Sequence, residues 1–263
     1  MFENMIGLEA EFFVVGKKGG LVYPKHYGFG HDDFIILGEF RAAPGKTRAE
    51  TVANFFKEYY TVMEIAKKKN VNIILGDGSF QVDPEFHAKV MRKMETKNVA
   101  TCENIYGTDI LSLTDAEVEN GKILRHWLSV GLHVHFSSEV TNTMKWKETK
   151  ENYYPVNLPL SFGGGGNVGE ISVYQKGETK ETERSITSSV SRITRPVLKH
   201  FIEEMDSKLL TKYAVKKPLK YRNPGFYEIK PYGFEYRSLP FSDDTLKDIY
   251  NITDFAFSLL EEL

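Results

Sequence analysis

One cysteine, Cys102, is all the thiol chemistry in 263 residues, so no disulfide can close within the chain. Burial of apolar surface must do what a covalent staple would, and a reducing compartment is expected. An excess of one charge is also missing: 34 Lys and Arg stand against 36 Asp and Glu, a formal net charge of −2. Nucleic acid as the main partner is set aside on that ground, because phosphate neutralisation ordinarily needs a clear basic surplus. No apolar run approaches the roughly 18 residues of a membrane span. The opening MFENMIGLEAEFFVV has an acid where a secretory leader has basic residues, and two more glutamates interrupt its apolar stretch. A cytoplasmic globular protein without membrane contact is expected.

What is present suffices for a core, with 41% apolar and 13% aromatic residues. With no internal repeat and no clear linker, the chain reads as a single domain, 1–263. Val52, Phe55, Phe56, Tyr59, Met63 and Ala66 recur at helical spacing between Thr47 and Lys69. Thr47 and Glu50 form a capping-box pattern ahead of them, and Asn70 marks the stop. A second helix is expected from Ser185 to Leu210, kinked or divided at Pro196, and a third from Asp243 to the end; Pro84–Lys97 suggests a shorter one. Period-two alternation marks strands at Met5–Val15, Phe34–Ala42, Trp127–Ser137 and Tyr227–Ser238, with weaker signals at Val71–Leu75 and Glu170–Gln175. Lys145–Asn152, Lys176–Arg184 and the four glycines Gly163–Gly166 read as loops or a flap. Strands and helices do not alternate strictly, so the fold class is α+β: a mostly antiparallel sheet with helices on one side.

The informative feature is shared by the four strong strands. Each carries two ionisable residues two positions apart: Glu9 and Glu11, Glu39 and Arg41, His133 and His135, Glu235 and Arg237. Side chains alternate across a strand, so each pair projects from one face about 6.5–7 Å apart, and the apolar residues between them point the other way. An ordinary solvated face with cross-strand Glu–Arg pairs is the bland reading of any one strand. Against it, solvent faces favour Thr and Lys, and none of these eight positions holds either. Carboxylates suit hard divalent cations such as Mg²⁺, a histidine among them also suits Mn²⁺ or Zn²⁺, and arginine forks grip phosphoryl oxygens. Together they point to phosphoryl transfer from a nucleoside triphosphate. A metal-dependent hydrolase and a non-catalytic docking sheet remain alternatives.

In sequence order, Gly7-x-Glu9-x-Glu11-Phe12, Glu39-x-Arg41, Gly131-x-His133-x-His135-x-Ser137 and Tyr232-Gly233-x-Glu235-x-Arg237 resemble the carboxylate–amine ligase superfamily. That group includes glutamine synthetase and glutamate–cysteine ligase, and the closest resemblance is to the phage-type amidoligases. Glu9 stands where that family often has Asp, and Leu132 where Gly is often found. The resemblance implies a curved, glutamine-synthetase-like sheet with helices on its convex side and ATP with Mg²⁺, or Mn²⁺, in its hollow. It implies Glu9, Glu11, Glu39, Glu235 and His133 as metal ligands, and His133 and His135 as nucleotide contacts. Arg41 and Arg237 would bind the transferring phosphoryl group or the acid, with Glu39 beside them in catalysis. The implied reaction joins a small-molecule or peptide carboxylate to an amine through an acyl phosphate. A guanidino-kinase-like phosphotransferase shares the fold type, and a homo-oligomer is compatible with it.

Weaker signals have plain readings. Gly45-Lys46-Thr47 lacks the glycine of a P-loop at Phe40, so Thr47 is expected to cap a helix. Lys212, Lys216, Lys217, Lys220 and Arg222 read as a solvated basic loop, with attraction of ATP or an acidic substrate as the sharper alternative. His26, His31, His87, His126 and His200 lack metal-like spacing, Asp77 fits a turn, and Cys102 fits a small buried residue.

Overall fold

Ile6, Leu8, Ala10 and Phe12 alternate with Gly7, Glu9 and Glu11 along the first strand, and the main sheet keeps the two sets on opposite faces. The computed structural model describes residues 3–32, 34–76, 80–93, 102–108, 116–160, 169–213 and 222–263, the side chains of 91–93, 140–180 and 182–190 excepted. In chain order it contains β1 (Glu3–Val15), β2 (Leu37–Arg41), α1 (Arg48–Lys69), β3 (Asn72–Ile74), β4 (Gln81–Val82), α2 (Pro84–Lys93) and β5 (Glu103–Asn104). There follow β6 (Ala116–Glu119), β7 (Lys122–Trp127), β8 (Leu132–Leu160), β9 (Gly169–Ser191) and α3 (Arg195–Met205). The chain closes with β10 (Phe226–Lys230), β11 (Gly233–Tyr236), α4 (Asp243–Lys247) and α5 (Ile249–Glu261).

The fold is α+β. The main sheet runs β2-β1-β8-β11-β10-β5, with β3 added to β1 and β9 to β8, and it does not close into a barrel. Each of its pairings with a described register is antiparallel. A smaller antiparallel sheet is ordered β4-β7-β6. Two compact units divide the chain: Met1–Val140 with Val190–Leu263, and Thr141–Ser189. The second is made of parts of β8 and β9 around residues that are not described. Among the described residues no helix is long and apolar enough to cross a membrane.

Helices cover the apolar face. Thr47 caps α1 by accepting a hydrogen bond from the Glu50 amide, and Asn70 ends it in the left-handed region at φ 55°. Phe55, Val62 and Ala66 are the buried apolar residues of α1, whereas Met63 of the expected stripe is exposed. Phe55 meets Phe40 of β2 at 5.2 Å, and both meet Phe241 at about 6 Å. On the other half of the sheet Phe136 and Phe234 stack at 4.8 Å beneath Phe201 of α3. Each such ring contributes roughly 1.5–3 kcal/mol by leaving water, and together they hold the sheet so that its opposite face is fixed.

Three expectations need correction. Ser185–Ser191 belongs to β9 rather than to a helix, and Pro196 lies in the first turn of α3, where a missing N–H costs nothing, instead of kinking a longer helix. Tyr227–Ser238 is two strands joined at Pro231 and Tyr232, because proline cannot continue the ladder and Gly233 takes φ 156°. Lys145–Asn152 and Lys176–Arg184 lie in strands, their mixture of charged residues and threonine having hidden the alternation. Asp77, Gly163–Gly166, Lys216, Lys217, Lys220 and the end of the helix expected to Lys97 lie outside the described residues.

Candidate functional site

Register decides which of the paired residues meet. Glu9 faces Arg41 across β1 and β2 and His133 across β1 and β8, while Glu11 faces Glu39. One row further along, Gly7, His135, Glu235 and Glu228 run across four strands in line. All eight residues of the four sequence pairs therefore lie on the polar face, with Glu228 and Lys230 of β10 beside them.

At the centre His133, with 0% exposure, points Nδ1 between two carboxylates, 3.1 Å from Glu9 Oε1 and 2.9 Å from Glu235 Oε1. Burial opposes ionisation of Glu9, but hydrogen bonds from His133 and His135 outweigh it and hold the carboxyl well below the usual range. Glu235 is held low in the same way, burial being overcome by the hydrogen bond and charge of His133 and by Arg237. Burial and the Arg237 charge work against protonation of His133, yet the Glu11 charge and the hydrogen bonds to Glu235 and Glu9 raise it to about 9. Donor atoms of Glu9, His133 and Glu235 all lie within 4.8 Å of one another. Two ionised, buried carboxylates and an imidazole this close fit a divalent cation that displaces the His133 proton, Mg²⁺ by charge and Mn²⁺ by the mixed donor set.

Glu11 and Glu39 stand outside that trio. Glu11 Oε2 accepts from the Gly131 amide at 2.7 Å and from Arg222 Nη2 at 2.5 Å. Glu39 accepts from Arg41 Nε at 2.6 Å, and Arg41 Nε also lies 2.7 Å from Glu9. Burial and the neighbouring Glu9 push Glu39 up to about 7, Arg41 opposing them. Arg237 Nη1 reaches Glu235 at 2.7 Å and Glu228 at 3.1 Å. Lys230 Nζ bridges the same two acids, 2.9 Å from Glu235 and 2.8 Å from Glu228. His135 is partly exposed, with Nδ1 2.7 Å from the Tyr232 hydroxyl and Nε2 3.6 Å from Glu9.

Sequence reasoning missed Arg222, Glu228, Lys230 and Tyr232 as parts of this face. Arg222 corrects the solvated-loop reading: it is 5% exposed, pairs with Glu11, donates Nη1 to the Arg237 carbonyl and lies 3.2 Å from His133 Nε2. Glu228-x-Lys230 carries the same two-residue spacing as the other pairs and would have joined them had Tyr227–Ser238 been divided in two. Tyr232 is in the quoted motif, but as the turn residue that meets His135. Cys102 is half-buried and close enough to feel Arg237, Glu228 and Glu235, although burial pushes its thiol up. His87 and His126 stack at 3.8 Å and 10°. Flat stacking turns their nitrogens outward, so they do not converge on a metal.

No protein-family model, curated protein or solved structure matches the chain.

Proposed function

We propose that the protein is an ATP-dependent carboxylate–amine ligase that forms ADP, working in the cytoplasm on a small-molecule or peptide carboxylate. The observation that supports this above other uses of an acidic face is the density of fixed cations among the carboxylates. Arg41, Arg222, Arg237 and Lys230 all reach acids of one face. A hydrolytic centre has use for the carboxylates and imidazole but little need of so many cations. A triphosphate and an acyl phosphate need them throughout.

Glu9, His133 and Glu235 would hold Mg²⁺ or Mn²⁺, which when bound supplies charge neutralisation to phosphate oxygens. Arg41 stands at the mouth of the face with its side chain 71% exposed and its Nε tethered to Glu9 and Glu39, leaving the outer end of its fork toward an incoming anion. Arg237 and Lys230 hold Glu235 and Glu228 in place from the far side. The substrate carboxylate oxygen attacks the γ-phosphorus of ATP and ADP leaves. The amine nitrogen then attacks the acyl carbon, phosphate leaves and one proton is lost. Positioning and neutralisation carry both steps, and no enzyme nucleophile is needed.

The test is ADP release from ATP–Mg²⁺ with acid and amine mixtures, products identified by mass spectrometry. Turnover should require both substrates and fall at least about a hundredfold in Glu235→Gln. AMP as product, cleavage without nucleotide, or a phosphorylated guanidine instead of an amide would each overturn the proposal.

A further inference from the structure

Beside the charged centre a cleft of about 400 Å³ runs along β1 and β8, with a carboxylate toward each end. At one end lies Glu9, next to His135 and Arg41. At the other lie Ser137 and Glu139, the next two positions on the same face of β8. Ser137 is 6% exposed, lines the cleft, and its hydroxyl has no hydrogen-bond partner among the described residues. Glu139 faces Glu3 across the strands. Lys46 neutralises Glu3 at 3.0 Å, and no cation among the described residues does this for Glu139. Met5, Ala42 and Pro44 supply apolar lining alongside His135 and Tyr232.

We infer that this cleft binds an α,ω-diamine, one ammonium held by Ser137 and Glu139, the alkyl chain against Met5 and Pro44, and the second nitrogen beside His135 and Glu9. An ammonium is a compact donor with hydrogens in several directions, which suits a hydroxyl and a carboxylate on adjacent strand positions better than a planar guanidinium fork does. Ser137 and His135 stand one strand step apart, about 6.5–7 Å, which a chain of about five methylenes covers, with Glu139 one step beyond Ser137 and the Glu9 carboxylate reaching His135 from the other side. The buried hydroxyl without a partner is the kind of group that a ligand satisfies. That the second nitrogen is the one acylated rests on the ligase reading; binding of the diamine does not.

Calorimetric titration of the intact protein without nucleotide, using 1,5-diaminopentane and 1-aminopentane, tests this. The diamine should bind at least about tenfold more tightly. Glu139→Gln should erase that preference, and Ser137→Ala should reduce it, with thermal unfolding checking that both variants remain folded. Equal binding of the two amines by the unaltered protein overturns the inference without recourse to any variant, and so does a preference that survives Glu139→Gln. A diamine preference lost in Glu139→Gln, in a protein that never forms ADP with any acid and amine, would support this site while refuting the ligase. ADP formation whose amine KM ignores both the second ammonium and Glu139→Gln would overturn this site and leave the ligase standing.

Discussion

Glu11, 1% exposed, accepts hydrogen bonds from both Arg222 and the Gly131 amide, and the arginine approaches this closely because Gly131 has no Cβ to obstruct the guanidinium. A buried pair of this kind says little about net stability while intact, but losing one partner leaves a charge stranded, at about 3–5 kcal/mol. Arg222→Met should therefore destabilise by about that amount in urea unfolding, and adding Glu11→Gln should recover much of the loss. A double variant as unstable as Arg222→Met alone would show that the arginine acts through packing and not through Glu11. The pair was half legible in the sequence. Glu11 stood out by its spacing from Glu9, whereas Arg222 came at the end of a run of lysines in which composition pointed to solvent. Only the fold brings residue 222 over residue 131.

Elements were legible where local signals agreed. In α1 the Thr47 cap, the apolar stripe and the Asn70 stop all mark the same boundaries, and the helix obeys them. They were illegible where a tertiary contact decides, as at the end of α3. There Asp206 opens a π-helical turn, Asp206–Leu210, and accepts hydrogen bonds from Tyr236 of β11 at 2.6 Å and from Tyr106 at 3.1 Å, joining helix to sheet. Nothing near residue 206 in the sequence announces two tyrosines from elsewhere. Burial pushes this carboxyl from its ordinary 3.8 up to about 6, the two tyrosine hydrogen bonds pulling the other way. The folded chain then binds the proton more tightly than the unfolded chain, so the contribution is complete below 3.8 and is lost as pH rises through about 6. Its size is about 3 kcal/mol. Asp206→Asn does not titrate, so its stability relative to the unaltered protein should rise by about that amount between about pH 4 and pH 7, read from denaturant midpoints. A gap that stays constant across this range would refute the shift.

On the scale of the whole molecule, the sheet divides labour between its faces. One face packs Phe12, Phe136, Phe234 and their neighbours under helices; the other crowds carboxylates that repel one another unless cations intervene. Period-two alternation made this division readable, since the rule that buries Leu8 and Phe12 also aims Glu9 and Glu11 away from them. It could not say which pairs would touch. A slip of two residues in the β1–β8 register would keep every side chain on its proper face and yet part Glu9 from His133. The observed register leaves Glu9, His133 and Glu235 as the trio fitted to a cation, and an ion that binds only the folded chain must stabilise all of it. At a hundredfold excess of Mn²⁺ over its dissociation constant the gain is about 2.7 kcal/mol, or about 5 to 10 °C in thermal midpoint. Glu235→Gln should abolish that rise, while Glu64→Gln, on the exposed side of α1, should keep it. A midpoint indifferent to Mn²⁺ and Mg²⁺, or a rise undiminished in Glu235→Gln, would remove the metal from the site whatever the protein proves to catalyse.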